Sequence, residues 1–214
     1  MSQATLVRFY SLHYVMPFVL IGLSVLHVLL LHQCGSSNPL GVASGRDMLR
    51  LYPYFAVKDL VGLCWMLACL CFIVAYASEV LGHSDNAIEA NPLVTPLHIV
   101  PEWYFLPMYA ILRSIPHKLA GVVAMLASIL VLLVLPWLHV RTVRSSRFLP
   151  VSRAVSLTVA CCWVLLAWIG GMPVEAPYVV VGQLASLYYF AYFVLLHPLV
   201  DALESSLCAS DSDM

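Results

Sequence analysis

The chain has 214 residues, of which 62% are hydrophobic and only 10% charged, with a mean hydropathy of +0.93. Because soluble domains average about 25% charged residues, this composition indicates a membrane protein. The net charge of -1 offers no basic excess to neutralise phosphates, which excludes a nucleic-acid-binding protein. The seven cysteines lack zinc or disulfide spacing, which excludes a secreted domain held together by disulfides.

Five windows of the sequence are free of charge and long enough for a membrane span, which needs about 20 apolar residues. They are 9–45, 60–78, 119–140, 154–174 and 176–200. The first window exceeds one span, but its second half contains turn residues such as Gly35 and Pro39. The last two windows flank a short turn, which predicts a helical hairpin.

These windows predict an all-α, polytopic membrane helix bundle with five transmembrane helices and a long outer-side loop that carries a short interfacial helix. The predicted segments are a first span 1–32, a loop 33–56, a second span 57–79, the outer loop 80–118, a third span 119–140, a basic loop 141–153, a two-helix hairpin 154–200 and a polar tail 201–214, expected to be frayed.

The distribution of Lys and Arg predicts the orientation in the membrane. Seven of the ten basic residues lie in the loops 33–58 and 140–153, which places these loops on the negative side. The outer side then carries the N-terminus, the segment 79–118 and the turn 170–177.

The first predicted span contains two histidines at a spacing typical of heme ligation. His13 and His27 are 14 residues apart, which on a helix is about 21 Å along the axis with nearly the same facing direction. Such a helix can ligate two hemes stacked across the membrane. The alternative is that each ring hydrogen-bonds a carbonyl or a neighbouring helix. If two hemes are bound, their other ligands come from a second polypeptide, because the chain offers no second pair within one span.

The outer loop contains an acidic residue framed by aromatic side chains. Residues 102–109 are expected to form a short interfacial helix, since Pro101 and Glu102 suit a helix start. Glu102 can then accept a proton from a lipid-soluble substrate, with Tyr109 near the same helix face. The alternative is an interfacial aromatic belt with a solvated carboxylate.

Seven motifs occur in order over about residues 4–200. They are Thr5–His13, Gly35–Pro39, Lys58–Gly62, Asn91–Leu93, Pro101–Tyr104, Ile111–Pro116 and Trp168–Glu175. Because of these motifs and their order, the chain resembles the C-terminal part of cytochrome b, helices D to H. Cytochrome b belongs to the ubiquinol:cytochrome c reductase known as respiratory complex III.

The resemblance implies roles for individual residues. His13 would ligate the low-potential heme b and His27 the high-potential heme b. The quinol-oxidation site would contain the proton acceptor Glu102 and a lining of Ile99, Pro101, Trp103, Tyr104, Phe105, Tyr109 and Met125. The quinone-reduction site would contain the proton carriers His32 and Asp59, with Ser36 and Lys58 nearby.

The same resemblance implies partners and a location. The partners would be an N-terminal cytochrome b fragment with helices A to C, a Rieske iron-sulfur protein, cytochrome c1, other complex III subunits and membrane lipids, in a dimeric complex. The absence of helices A to C suggests a split cytochrome b. We expect a multi-pass protein of the mitochondrial inner membrane, with a bacterial plasma membrane as the alternative.

Three functions are compatible with these features. The first is a catalytic fragment that, with its partner, oxidises ubiquinol on the outer side and reduces ubiquinone on the inner side. The second is a non-catalytic structural fragment of the same complex. The third, a transporter or channel, is disfavoured because no inverted repeat or broken-helix pair is visible.

Overall fold

The computed structural model describes residues 3–89, 98–139 and 143–212, together with residues 91, 93, 94, 96 and 141. Pro92, in the middle of the Asn91–Leu93 motif, lies outside the described residues. The chain divides into two compact units, one formed by 1–43 and 90–95 and the other by 44–89 and 96–214.

Five helical segments of the described residues are long and apolar enough to cross a membrane. They are Gln3–Cys34, Leu51–Tyr76, Lys118–Leu138, Pro150–Gly170 and Tyr178–Cys208. The regular elements of the described part are all helical. This confirms the predicted all-α fold with five membrane-spanning helices.

The first unit is built on helix α1, Gln3–Cys34, whose 32 residues include Pro17. No residue of α1 is buried within the chain, and its most apolar window has a mean hydropathy of 2.3. A helix that is apolar all round is stable in a membrane or against other helices. The helix ends where Gly35 adopts a φ of 78° and donates its N–H to the Leu31 carbonyl at 2.8 Å.

The second unit contains the remaining helices. They are α2, Ala56–Tyr76, preceded by a π-helical turn at Leu51–Phe55; α3, Ser78–Leu81; α4, Leu106–Ser114; α5, Lys118–Leu138; α6, Pro150–Gly170; α7, Tyr178–Ala191; and α8, His197–Ser212. A π-helical turn at Tyr192–Leu196 makes α7 and α8 continuous.

Helix α4 lies at the centre of the second unit and packs on α5, α6 and α7. Ile111 of α4 and Leu166 of α6 are fully buried, and Tyr189 of α7 belongs to the same buried hydrophobic cluster. The Tyr189 hydroxyl donates to the Ser128 carbonyl of α5 at 2.8 Å. The core of this unit therefore forms around α4, next to the acidic turn.

Two glycines allow the backbone of α4 to approach its neighbours. A Cβ on Gly170 would lie 2.2 Å from the Leu106 carbonyl oxygen, and a Cβ on Gly121 would lie 2.5 Å from the Leu112 carbonyl oxygen. Both distances are below any van der Waals contact. Small residues thus set the spacing of these helices, as is common in membrane proteins.

Helix α4 begins later than the sequence predicts. Residues Trp103–Phe105 form a 3-10 turn, and the α-helix starts at Leu106, with Pro107 in its first turn. The fixed φ of proline suits that position. The sequence predicts Pro101, not Pro107, at the start of this helix. The helix then continues to Ser114 instead of ending near Tyr109.

The expected frayed tail is wrong for the described residues, because α8 continues to Ser212. Asp201 is fully buried and contacts Arg141, while Glu204 is 4% exposed. The Glu204 carboxylate accepts the N–H groups of Val151 and Ser152, at 2.8 and 3.1 Å, in the first turn of α6. A carboxylate at a helix N-terminus is favoured by the free N–H groups and the helix dipole.

Candidate functional site

The histidines of α1 lie on one uninterrupted helix. α1 runs through both His13 and His27, so the ideal helical rise places them about 21 Å apart along the axis. Both side chains are exposed on the surface of the chain. This arrangement leaves both imidazoles free to contact a group outside the chain.

The histidines outside α1 all have polar partners. His83 accepts from the Asp85 N–H, His98 lies 3.2 Å from the Gly171 carbonyl, and His117 accepts from the Ala120 N–H. His139 and His197 both lie against Asp201. In contrast, no described residue gives His13, His27 or His32 a hydrogen bond or ion pair.

The difference between the partnered and unpartnered histidines bears on whether this chain can ligate heme. Neutral imidazole is a common axial ligand of heme iron, and the two spaced histidines of α1 are those left without an internal partner. Each can supply one ligand to one heme. The exposed, unpartnered imidazoles of His13 and His27 therefore fit as heme ligands.

The end of α1 and the start of α2 carry the residues expected to bind quinone. His32 lies in the last turn of α1, and Ser36 follows the left-handed Gly35. Both are exposed in the first unit. Lys58 and Asp59 lie in the first turn of α2, in the second unit, where they are also exposed. The position of Asp59 is favourable because a carboxylate stabilises a helix N-terminus.

The acidic turn of the second unit is held in place by short-range contacts. The Glu102 carbonyl accepts the N–H of Phe105 at 2.9 Å and thereby closes the 3-10 turn. The half-buried Glu102 carboxylate accepts the side-chain amide of Asn86 at 3.3 Å.

Aromatic side chains surround this carboxylate in the sequence and remain accessible. Trp103 and Tyr104 form an edge-to-face pair with ring centroids 5.7 Å apart, and both are exposed. Phe105, Pro101 and the α5 residue Met125 are partly buried. The turn thus presents a polar group within an apolar and aromatic surface.

Tyr109 connects the approaching loop to α4. Its hydroxyl donates to the Ile99 carbonyl at 3.2 Å, so these two residues of the expected quinol site are in direct contact. The Arg113 guanidinium lies 5.0 Å from the centre of the Tyr109 ring, a cation–π distance. The loop before Glu102 is consequently attached to the central helix of the unit.

Two residues near the site were not identified as site residues from sequence. Asn86 is 16 positions from Glu102, and a single polar residue in a polar loop gives no signal of such a contact. Arg113 donates to the carbonyls of Ile169 and Met172, at 2.8 Å each. A cation in a chain so poor in charge is itself a signal of a structural or functional role.

A helix long enough to span a membrane and carrying two unpartnered histidines is a feature of the membrane cytochromes. Two family models match successive parts of the chain: Cytochrome b(N-terminal)/b6/petB at residues 1–103, and Cytochrome b(C-terminal)/b6/petD at residues 89–190. The chain belongs to the cytochrome b family. The models overlap at the loop that precedes and includes the acidic turn.

Known proteins agree with this family. The chain is 54% identical over 206 residues to cytochrome b of Chondrus crispus, covering 96% of the chain and 54% of that protein. For cytochrome b of Spizellomyces punctatus the identity is 51% over 195 residues, covering 91% and 49%. The chain thus spans about half the length of these relatives.

A solved structure shares the fold. It is described as a hyperthermophilic respiratory Complex III, and the superposition has a TM-score of 0.85 at 32% sequence identity. It covers 95% of this chain and 53% of that chain. The recognition of a cytochrome b of complex III, made from the sequence motifs, is confirmed.

Proposed function

We propose that this chain forms part of the quinol:cytochrome c oxidoreductase reaction of complex III. In this proposal it oxidises ubiquinol at the turn containing Glu102, conducts electrons across the membrane, and reduces ubiquinone near His32 and Asp59. Family membership supports the general role. The observation that carries the proposal for this chain is the pair of unpartnered histidines on the continuous helix α1.

His13 and His27 are proposed to hold one heme b each, His13 the low-potential and His27 the high-potential heme. When bound, the hemes supply one-electron transfer between the two faces of the membrane. The helix fixes the separation of the two imidazoles and keeps both on nearly one face. The remaining heme ligands would lie on helices A to C of cytochrome b, outside these 214 residues.

Glu102 is proposed to accept a proton from ubiquinol on the outer side. The Asn86 amide occupies one carboxylate oxygen and orients the group, leaving the second oxygen to accept the proton. The exposed Trp103 and Tyr104 offer an apolar surface for a lipid-soluble ring. Tyr109 holds the loop at Ile99, and Phe105, Pro101 and Met125 are proposed to complete the lining.

His32 and Asp59 are proposed to donate protons to reduced ubiquinone on the inner side. An imidazole is suited to proton exchange in the physiological pH range, and a carboxylate oxygen can accept and pass on a proton. Lys58 and Ser36 are proposed to bind the quinone oxygens by hydrogen bonding. The exposure of all four side chains within their own units is compatible with contact to a mobile substrate.

The proposed partners are those of a complex III assembly: the protein that carries helices A to C, a Rieske iron-sulfur protein, cytochrome c1 and other subunits, in a dimer. The Rieske protein would take one electron of each quinol outward while the other electron crosses the membrane. The proposed location is the mitochondrial inner membrane. Membership of the family, the complex III neighbour and the five spanning helices support a multi-pass membrane protein of complex III.

The test is a reduced-minus-oxidised optical spectrum of the complex, purified from its native membrane in mild detergent. Two b-type heme signals are expected from the unaltered chain. The His13→Ala and His27→Ala variants should each lose a different signal, whereas the control His83→Gln should keep both, because His83 has its own loop partner. An assembled complex without b heme would overturn the proposal and favour the non-catalytic structural fragment.

A further inference from the structure

A second group of histidines lies in the second unit, where α5 ends and α8 begins. We define the His–Asp cluster as His139, just after α5, with His197 and Asp201 on the first turns of α8. The Nδ1 atoms of His139 and His197 lie 3.1 and 3.4 Å from Oδ2 of Asp201. The two imidazole rings are 5.8 Å apart between centroids. Three groups that can ligate metals therefore converge on one point.

The cluster has unsatisfied polar atoms where burial makes them costly. Asp201 has no exposed surface, and its Oδ2 makes no hydrogen bond of good geometry to any described residue. The same is true of Nδ1 of His197. Buried polar atoms without hydrogen-bond partners destabilise a fold. Something located between these atoms would remove that cost.

Two of the three distances within the cluster are close to those of a tetrahedral metal site. With metal–ligand bonds of 2.0–2.2 Å, two ligands of a tetrahedral zinc are separated by about 3.3 Å. The two distances to Asp201 lie on either side of this value. One nitrogen or oxygen from each of the three residues lies within 4.8 Å of the others.

Arg141 determines which carboxylate oxygen is available. Its Nε donates to Oδ1 of Asp201 at 2.5 Å, so Oδ2 alone faces the histidines. Hydrogen bonds to the free oxygen of a ligating carboxylate fix its orientation in metal sites. The guanidinium also repels a cation, so we expect weaker binding than at a structural zinc-finger site.

We infer that the His–Asp cluster is a binding site for a divalent transition metal of the zinc class. Two imidazoles and one carboxylate suit zinc in its preferred tetrahedral geometry. His139 is 44% exposed, so water can occupy the fourth position and the ion can enter from that side. The bound ion joins the end of α5 to the start of α8. This site is separate from the heme and quinone residues proposed above.

The test uses the purified complex that contains this chain, loaded with zinc chloride and then desalted. Zinc per chain is measured by mass spectrometry for the unaltered protein, His139→Gln, His197→Gln and the control His83→Gln. His83 also neighbours an aspartate, Asp85, but lacks a second histidine. The two cluster variants should retain about one zinc fewer per chain than the unaltered protein and the control. Equal zinc content in all four would overturn the inference.

A spectroscopic measurement keeps the inference testable if the cluster variants fail to assemble. The zinc-edge X-ray absorption of the loaded, unaltered complex should show nitrogen and oxygen ligands at about 2.0–2.2 Å. A sulfur shell near 2.3 Å would assign the ion to cysteines and overturn the inference. Failure of the unaltered complex to retain zinc would overturn it as well. None of these readouts depends on turnover or on heme.

Discussion

Arg113 donates a hydrogen bond from its guanidinium to the Ile169 carbonyl at 2.8 Å, which ties the central helix α4 to the last turn of α6. A second bond of 2.8 Å reaches the Met172 carbonyl in the turn that follows. The last carbonyls of a helix have no partners within it. Arg113 thus caps α6 from the side of α4.

Replacing Arg113 by methionine should destabilise the second unit. The change keeps the apolar stem and removes both charge-assisted bonds, whose loss we expect to cost about 2–4 kcal/mol together. The midpoint of thermal unfolding of the purified complex should fall. Arg153→Met is the matched control, because Arg153 is exposed. An equal midpoint for the two variants would contradict the capping role.

Gly170→Ala should prevent the packing of α4 on α6. The new Cβ would lie 2.2 Å from the Leu106 carbonyl oxygen, so the helices must separate. Overpacking of this kind costs about 1–3 kcal/mol or more. The measurement is the amount of assembled complex recovered from membranes.

The neighbouring Gly171→Ala is the control for this change. Its Cβ would meet the Trp168 carbonyl oxygen at 3.6 Å, an ordinary contact. We therefore expect normal assembly. Recovery of the Gly170→Ala complex at the level of Gly171→Ala would show that the close approach of α4 is not required.

The fold was predictable where it depends on local properties of the sequence. Charge-free windows identify all five spanning helices, because a membrane excludes charge over a whole span. The start of α4 was assigned to Pro101, since sequence alone does not distinguish it from Pro107 as the first-turn proline. The burial of Asp201 was missed because its partner Arg141 is 60 positions away. Such pairing depends on the tertiary fold and leaves no periodic signal.

The candidate site was also only partly predictable from the sequence. The placement of His13 and His27 on nearly one face, about four turns apart, was predictable from helical spacing alone. The acidic turn was recognised from its motif, but its supports, Asn86 and Arg113, act through contacts that are distant in sequence. Motifs therefore indicate the groups that react, and the packed structure shows the groups that position them.

Glu204→Ala should weaken the start of α6. The substitution leaves the N–H groups of Val151 and Ser152 without their acceptor, in a position where the carboxylate is 4% exposed. We expect a loss of about 1–3 kcal/mol, measured as a lower midpoint of thermal unfolding. Glu175→Ala, at an exposed position in the α6–α7 turn, should leave the midpoint unchanged. A normal midpoint for Glu204→Ala would show that water replaces the cap.

Glu102→Gln should slow quinol oxidation without loss of heme. The amide keeps the size of the side chain and can still bond to Asn86, but it cannot accept the substrate proton. General acid–base groups contribute about 10²–10⁴-fold to rate, so we expect quinol:cytochrome c turnover to fall by at least about 100-fold. Glu79→Gln is the control, since Glu79 is an exposed carboxylate on α3. Both variants should show the heme spectrum of the unaltered complex. Turnover of Glu102→Gln within twofold of Glu79→Gln would remove Glu102 from the proton path and leave its hydrogen bond to Asn86 as a structural contact.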